Sequence, residues 1–178
     1  NGVFVWDIEA YTDCQTQFPV PLGPVGDFYA AVDVYVVEES VGDVEYGLAF
    51  RVPDLDNQYS FQVGNNELFG AYRLLEGEST NLLVHEIPTG VLRPGEWNRL
   101  AVLTVGPAIV LYINDQEIGR FSDPFLTNGQ FVLFAVVLKP GNSVVYFDNL
   151  EVRQAPPGAT PPPTPRKIIT SCPGSPAA

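Results

Sequence analysis

The sequence predicts an all-β protein, a sandwich of two antiparallel sheets of the jelly-roll type. Short runs of β-branched and aromatic residues follow one another from Tyr46 to Val152, and turn residues separate them at roughly even intervals. No part of the chain shows the 3.6-residue period of an amphipathic helix. These two observations together are typical of sandwiches and jelly rolls that lack a helical layer.

The strands are predicted from alternation and from the turn residues between them. Gly2–Ile8 is β-prone, Tyr11–Gly26 is predicted to be a loop because it is rich in Pro and Gly, and Phe28–Val37 alternates clearly. Asn114-Asp115 is a good two-residue hairpin turn. The remaining predicted strands are Tyr46–Val52, Gln58–Val63, Leu68–Leu75, Thr80–Glu86, Asn98–Val105, Ala108–Asn114, Gln116–Ser122, Gln130–Leu138 and Ser143–Arg153.

Two predicted segments are apolar on both faces of the sheet, the hairpin Asn98–Asn114 and the strand Gln130–Leu138. One face of each sheet in a sandwich is normally solvated, so a large apolar outer face marks an interaction surface. The charged fraction of the chain is only 17%, below the usual value of about 25%. Both features indicate that part of the surface is covered by something else.

The chain divides into a sandwich domain, residues 1–153, and a Pro-rich C-terminal arm, residues 154–178. The prolines favour an extended polyproline II conformation, which acts as a semi-rigid spacer. The arm continues into a short segment with strand propensity that includes Lys167, Ile168, Ile169 and Thr170. We expect these four residues to contact a β-edge or an apolar sheet face, preferably on a neighbouring copy of the chain.

Charge and cysteine content limit which partners and which cellular location are expected for the protein. The formal net charge is -12, which disfavours nucleic acid and anionic membranes, and no apolar run approaches the roughly 18 residues of a membrane span. The chain begins with Asn1, so we expect a processed product that is extracellular or at the cell surface. In that compartment Cys14 and Cys172 would form a disulfide, within or between chains. Two free thiols are the alternative.

Several short motifs in the body of the chain resemble the concanavalin A-like, laminin-G-like jelly rolls of secreted bacterial proteins. The resemblance rests on Gly47–Arg51, Trp97–Val102, Tyr112–Asn114 and Phe147-Asp148-Asn149, in that order. It implies a binding or structural module rather than an enzyme. Such domains usually begin with one more strand, so we expect the Val144–Val152 edge to be bare and to accept the arm or another chain.

A catalytic site is not expected. The glycanases that share this architecture carry two carboxylates on one strand in a Glu-x-Asp-x-x-Glu pattern, which this sequence lacks. Asp7 and Glu9 are two residues apart at a strand end, where solvated edge charges are the simpler interpretation. His85 is the single histidine, which leaves no histidine cluster for a metal.

Binding residues are proposed from aromatic and polar side chains that could stack on and hydrogen-bond to sugars. The candidates are Tyr46, Arg51, Tyr59, Tyr72 and Trp97, and the alternative is that the aromatic ones are half-buried sheet residues. No cofactor is expected except a structural Ca²⁺, for which the resemblance indicates Asp148. The alternative there is an Asp-Asn pair that forms hydrogen bonds at a β-bulge.

Two functions follow from these observations. The first hypothesis is a self-assembling, non-catalytic extracellular subunit of a surface fibre or sheath, built through its apolar sheet face and its arm. The alternative is a secreted carbohydrate-binding module tethered by the Pro-rich segment.

Overall fold

The computed structural model describes residues 4–10, 14–37, 43–155, 158 and 160, and these residues form strands and no helix. None of the described residues belongs to a helix that could cross a membrane. The strands are β1 (Phe4–Ala10), β2 (Cys14–Pro19), β3 (Phe28–Val36), β4 (Val44–Asp54), β5 (Asn57–Gly64), β6 (Leu68–Leu75), β7 (Glu78–Glu86), β8 (Asn98–Val105), β9 (Ala108–Ile113), β10 (Gln116–Ser122), β11 (Gln130–Val137) and β12 (Gly141–Gln154).

The strands form two antiparallel sheets, which confirms the predicted sandwich. Sheet I has the order β1-β12-β3-β8-β9-β10, and sheet II has the order β2-β11-β4-β5-β6-β7, so each is 6-stranded. Consecutive hairpins join β4 to β7 in sheet II and β8 to β10 in sheet I. Two-residue turns close most of these hairpins, among them Asn114-Asp115, in which both residues have a positive φ.

The core lies between the sheets and follows the alternation seen in the sequence. Phe28 and Leu100 from sheet I meet Leu48, Phe61 and Phe131 from sheet II, and all five are fully buried. Burial of such side chains contributes roughly 1.5–3 kcal/mol each to folding. The apolar residues whose alternation predicts the strands are therefore also the residues whose burial stabilises the fold most.

The prediction that β11 is apolar on both faces is confirmed. Phe131 and Leu133 face the core, whereas Val132 and Phe134 join Ala49 in a second buried cluster on the outer face of sheet II. The hairpin of β8 and β9 behaves similarly, since several apolar side chains of both parities are buried there.

Two predictions about the strands are wrong, one about a loop and one about a sheet edge. Residues 14–19, predicted to be part of a loop, form β2 and pair with β11 from Pro19↔Val132 to Cys14↔Val137. The strand was missed because its sequence is polar and ends in a proline, which an edge strand tolerates since one side of it needs no ladder hydrogen bonds.

The second error concerns the predicted bare edge. β1 pairs with β12 from Phe4↔Phe147 to Ala10↔Gly141, and β3 pairs with β12 on its other side from Val145 onward. The segment Val144–Phe147 therefore does not form a bare edge. β1 pairs with it, in the position where related domains were expected to place an extra first strand.

The predicted disulfide and the predicted arm contacts fall outside the described residues. This applies to Cys172, to the side chain of Cys14, and to the arm residues Lys167, Ile168, Ile169 and Thr170. Both remain predictions.

Candidate functional site

A cleft of about 250 Å³ opens at one end of the sandwich. It is enclosed by the end of β3, the start of β4, the β5–β6 turn and the loop that joins β7 to β8. Its polar lining consists of Tyr46, Asn65, Arg93, Glu96 and Asn98. We call this feature the end cleft.

The buried side chain of Asn98 fixes the loop that forms one wall of the end cleft. Its Oδ1 accepts a hydrogen bond from the backbone N–H of Arg93 at 2.9 Å. Its Nδ2 donates to the carbonyl oxygens of Arg93 and Glu96 at 2.8 and 2.9 Å. The Arg93–Glu96 turn is thus held in one conformation before any ligand arrives.

Tyr46 forms the floor of the end cleft. The residue is only 4% exposed, and its hydroxyl has no hydrogen-bond partner among the described residues. Burial raises the pKa of the Tyr46 phenol, so the group stays neutral near pH 7 and can both donate and accept a hydrogen bond. The hydroxyl is not among the described buried side-chain atoms that lack a hydrogen bond, so it is open to solvent at the cleft.

An aromatic surface lies beside the end cleft on the outer face of sheet I. Trp97, which stands between the cleft residues Glu96 and Asn98, is 44% exposed. Its ring lies 5.7 Å from that of Tyr35, and Tyr35 lies 5.8 Å from Tyr146. Tyr35, itself packed against Tyr146, holds the indole in place and leaves part of it open to solvent.

The structure places Arg51 in the interior, so its prediction as a surface binding residue is wrong. Its guanidinium is 1% exposed and donates to the carbonyl oxygens of Gly26, Leu126 and Gly106 at 3.1, 3.0 and 2.8 Å and to Asp27 at 3.2 Å. A β-bulge in β4, where Arg51 has a φ of 50°, turns the side chain inward. Arg51 therefore joins the loops at the end of the sandwich and is not accessible to a ligand.

Tyr59 is also buried, contrary to its predicted role. Its hydroxyl donates to Oδ1 of Asp123 at 2.5 Å and accepts from the N–H of Leu126 at 3.2 Å. Burial, reinforced by the hydrogen bond to Asp123, raises the pKa of Tyr59 to about 12. Asp123 also accepts from Arg73 at 2.6 Å, so this group fixes the loop after β10.

Tyr72 lies on a different surface, the outer face of sheet II, where it is half-buried. Its ring lies over Gly70, where a Cβ would approach the ring to within 2.4 Å. A groove on the same face, about 350 Å³ in volume, is lined by several glutamines, among them Gln15, Gln17 and Gln58. Of the five predicted binding residues, only Tyr46 lines the end cleft, and Trp97 is the chain neighbour of two residues that line it.

Asp148 lies at a bulge in β12. This agrees with the alternative to a calcium site, an Asp-Asn pair that forms hydrogen bonds at a β-bulge. Its Oδ1 accepts a hydrogen bond from the N–H of Asn149 at 2.7 Å, and Asn149 has a φ of 51°. In the described part of the chain, no three or more His, Cys, Asp or Glu side chains are grouped to hold a metal ion. Ca²⁺ prefers six to eight oxygen ligands, and a structural Ca²⁺ at Asp148 stays a prediction.

Sequence reasoning missed most of the polar residues of the end cleft. Asn65, Arg93 and Glu96 all fall between the predicted strands. The available signal was the Pro94-Gly95 turn, which ends two positions before Trp97. Nothing local indicated that the loop would meet the start of β4.

Comparison with known proteins finds no matching family model and no curated relative. Solved structures do match. Carbohydrate binding module CBM66 from Bacillus subtilis superposes with a TM-score of 0.66 at 16% identity, covering 86% of this chain and 96% of that one. Sheep galectin-11 superposes with a TM-score of 0.52 at 10% identity, covering 81% and 99%. A GH16 protein from a Bacteroides ovatus mixed-linkage glucan PUL has a TM-score of 0.58 at 9% identity, covering 73% and 70%.

The chain has the concanavalin A-like jelly-roll fold. The resemblance found in the sequence is thereby confirmed at the level of architecture. At these identities the likeness extends to the fold alone. The function of this jelly roll has to be argued from its own side chains.

Proposed function

We propose that the protein is a non-catalytic carbohydrate-binding module that binds a glycan at the end cleft and on Trp97. The observation that carries the proposal is the exposed indole of Trp97 next to a cleft lined by fixed polar groups. Ligand sites generally combine apolar or aromatic contact area with a few well-placed polar groups.

The indole and the cleft would contribute different contacts to a bound glycan. The C–H face of a sugar ring packs on the open part of Trp97, which excludes water over an apolar area. The hydroxyls of the same or the next sugar residue then bond to the side chains of Asn65, Glu96 and Tyr46 in the cleft. The unpartnered hydroxyl of Tyr46 gains a partner in this way.

The fixed loop lowers the entropic cost of binding. Because Asn98 already holds the backbone of Arg93 and Glu96, little main-chain freedom is lost when a ligand binds. The cleft is smaller than the roughly 300–1,000 Å³ typical of ligand pockets. It therefore suits one part of a longer chain, with the remainder lying across the aromatic surface.

The comparisons support binding over self-assembly. Two of the matching folds are named as a carbohydrate binding module and a galectin, although glycoside hydrolases share the architecture. The self-assembly hypothesis rested on the apolar sheet face, the arm and a bare edge at β12, and that edge is paired with β1 over residues 141–147. An extracellular location remains part of the proposal, as the place where glycans are met.

Binding of the tagged protein to an immobilised glycan panel tests the proposal. Wild-type protein should bind a subset of glycans, and Trp97→Ala should lose that binding while its melting temperature is kept. Tyr72→Ala is the matched control, since it removes an aromatic side chain from the outer face of sheet II. Loss of binding in Tyr72→Ala and not in Trp97→Ala would move the site to the glutamine-lined groove and refute the proposal.

A further inference from the structure

Arg93 differs from every other Lys and Arg side chain that the structure describes. The residue lines the end cleft, and its guanidinium forms no ion pair within the described part of the chain. The other described Lys and Arg residues all contact a carboxylate, in the pairs Arg51–Asp27, Arg73–Asp123, Arg99–Asp33, Arg120–Glu117, Lys139–Asp43 and Arg153–Glu151.

An unpaired guanidinium is notable in so acidic a protein. The chain has 21 Asp and Glu residues against 9 Lys and Arg, so carboxylates are abundant. Glu96 lines the same cleft, yet no ion pair joins it to Arg93. The backbone of Arg93 is meanwhile fixed by Asn98, so the side chain extends from a defined position at the cleft.

We propose that the end cleft selects glycans that carry an anionic group, a carboxylate or a sulfate, which Arg93 binds. The inference rests on the proposed function and names the class of ligand for the same site. The planar guanidinium can donate two parallel hydrogen bonds to such a group, and charge-assisted bonds of this kind are strong and directional. Glu96 repels a second anionic group, so it restricts the orientation in which the ligand enters.

The test compares three polymers by calorimetry or biolayer interferometry: polygalacturonate, chondroitin sulfate and neutral galactan. The proteins are wild type, Arg93→Gln, Arg93→Lys, Trp97→Ala and Arg153→Gln, each checked for an unchanged melting temperature. Arg153 is the matched control because it is exposed and lies on β12. Comparing the carboxylated with the sulfated polymer identifies the anionic group.

We expect at least one acidic polymer to bind about 10-fold or more tightly than galactan, and Arg93→Gln to remove that preference. Arg93→Lys should restore part of it, and added salt should weaken it. Equal affinity for acidic and neutral polymers, or equal losses in Arg93→Gln and Arg153→Gln, would overturn the inference while leaving glycan binding intact. If no glycan binding depends on Trp97, the proposed function itself fails and the inference fails with it.

Discussion

Asn114 donates a hydrogen bond from its Nδ2 to Oδ1 of Asn98 across 2.8 Å. The same Nδ2 donates to the carbonyl of Val91 at 2.8 Å, and Oδ1 of Asn114 accepts from the N–H of Arg99 at 2.9 Å. Two asparagines thus connect the β9–β10 turn of sheet I to the loop that forms the end cleft. The wall of the cleft is fixed by the folded sheet rather than by the loop sequence alone.

Replacing Asn98 with Ala should weaken both the fold and glycan binding. The change leaves the N–H and C=O of Arg93 and the C=O of Glu96 without partners, at a cost of about 1–3 kcal/mol in the free energy of unfolding. Affinity should fall as well, because the loop must then be ordered by the ligand. Urea denaturation and calorimetry measure the two effects.

Asn81→Ala is the control, since Asn81 is exposed on β7. It should change stability by less than about 0.5 kcal/mol. A destabilised Asn98→Ala protein that binds glycans with wild-type affinity would show that the order of the loop plays no part in recognition.

Arg51→Met should be among the most destabilising changes in the chain. It roughly retains the volume of the side chain but removes the guanidinium donors to the carbonyls of Gly26, Leu126 and Gly106. Of these carbonyls, that of Gly26 still accepts a hydrogen bond from Thr104. Buried polar groups without partners make the expected loss about 2–4 kcal/mol in the free energy of unfolding. Chemical denaturation checks this against Arg153→Met, whose side chain is 75% exposed and should matter little. Equal stability of the two variants would contradict the role assigned to Arg51.

Glu45→Gln should stabilise the protein at pH 7. Burial, with a further contribution from Asp43, raises the pKa of Glu45 above its value of 4.5 in the unfolded chain. The folded state therefore binds the proton more tightly, and stability falls as pH rises through the folded pKa. Glutamine avoids this ionisation, so its advantage should be present at pH 7 and absent near pH 3, where both states of the wild type are protonated.

Thermal melts of wild type and Glu45→Gln at the two pH values measure the effect. Glu78→Gln is the control, because Glu78 is exposed. Lower stability of Glu45→Gln at pH 7 would mean that the carboxylate is stabilised by a favourable interaction rather than strained by burial.

The strands were predictable because alternation and turn chemistry are local. Phe28–Val36 and Gln130–Val137 have the predicted type and almost the predicted bounds. The strand at residues 14–19 was not, because a polar edge strand that ends in Pro19 has no local signature and is specified by pairing with β11.

The site was less predictable than the fold. Strict alternation places Arg51 on the outer face of sheet II, and only the bulge in β4 reverses it. Trp97 was recognisable as an aromatic side chain in a suitable place. Its polar partners were not, because the β7–β8 loop reaches Tyr46 through the closure of the two sheets.

The central claim is that a glycan lies on Trp97, and the fluorescence of that indole tests it most directly. The other tryptophan, Trp6, lies on β1 and packs against Phe147 of β12. Replacing it with Phe leaves Trp97 as the only source of tryptophan fluorescence. Titration of Trp6→Phe with a glycan that the protein binds should shift the Trp97 emission to the blue. The shift should be half-maximal at a free ligand concentration equal to the dissociation constant measured by calorimetry. Calorimetric binding with no change in Trp97 emission would place the ligand elsewhere and contradict the proposed function.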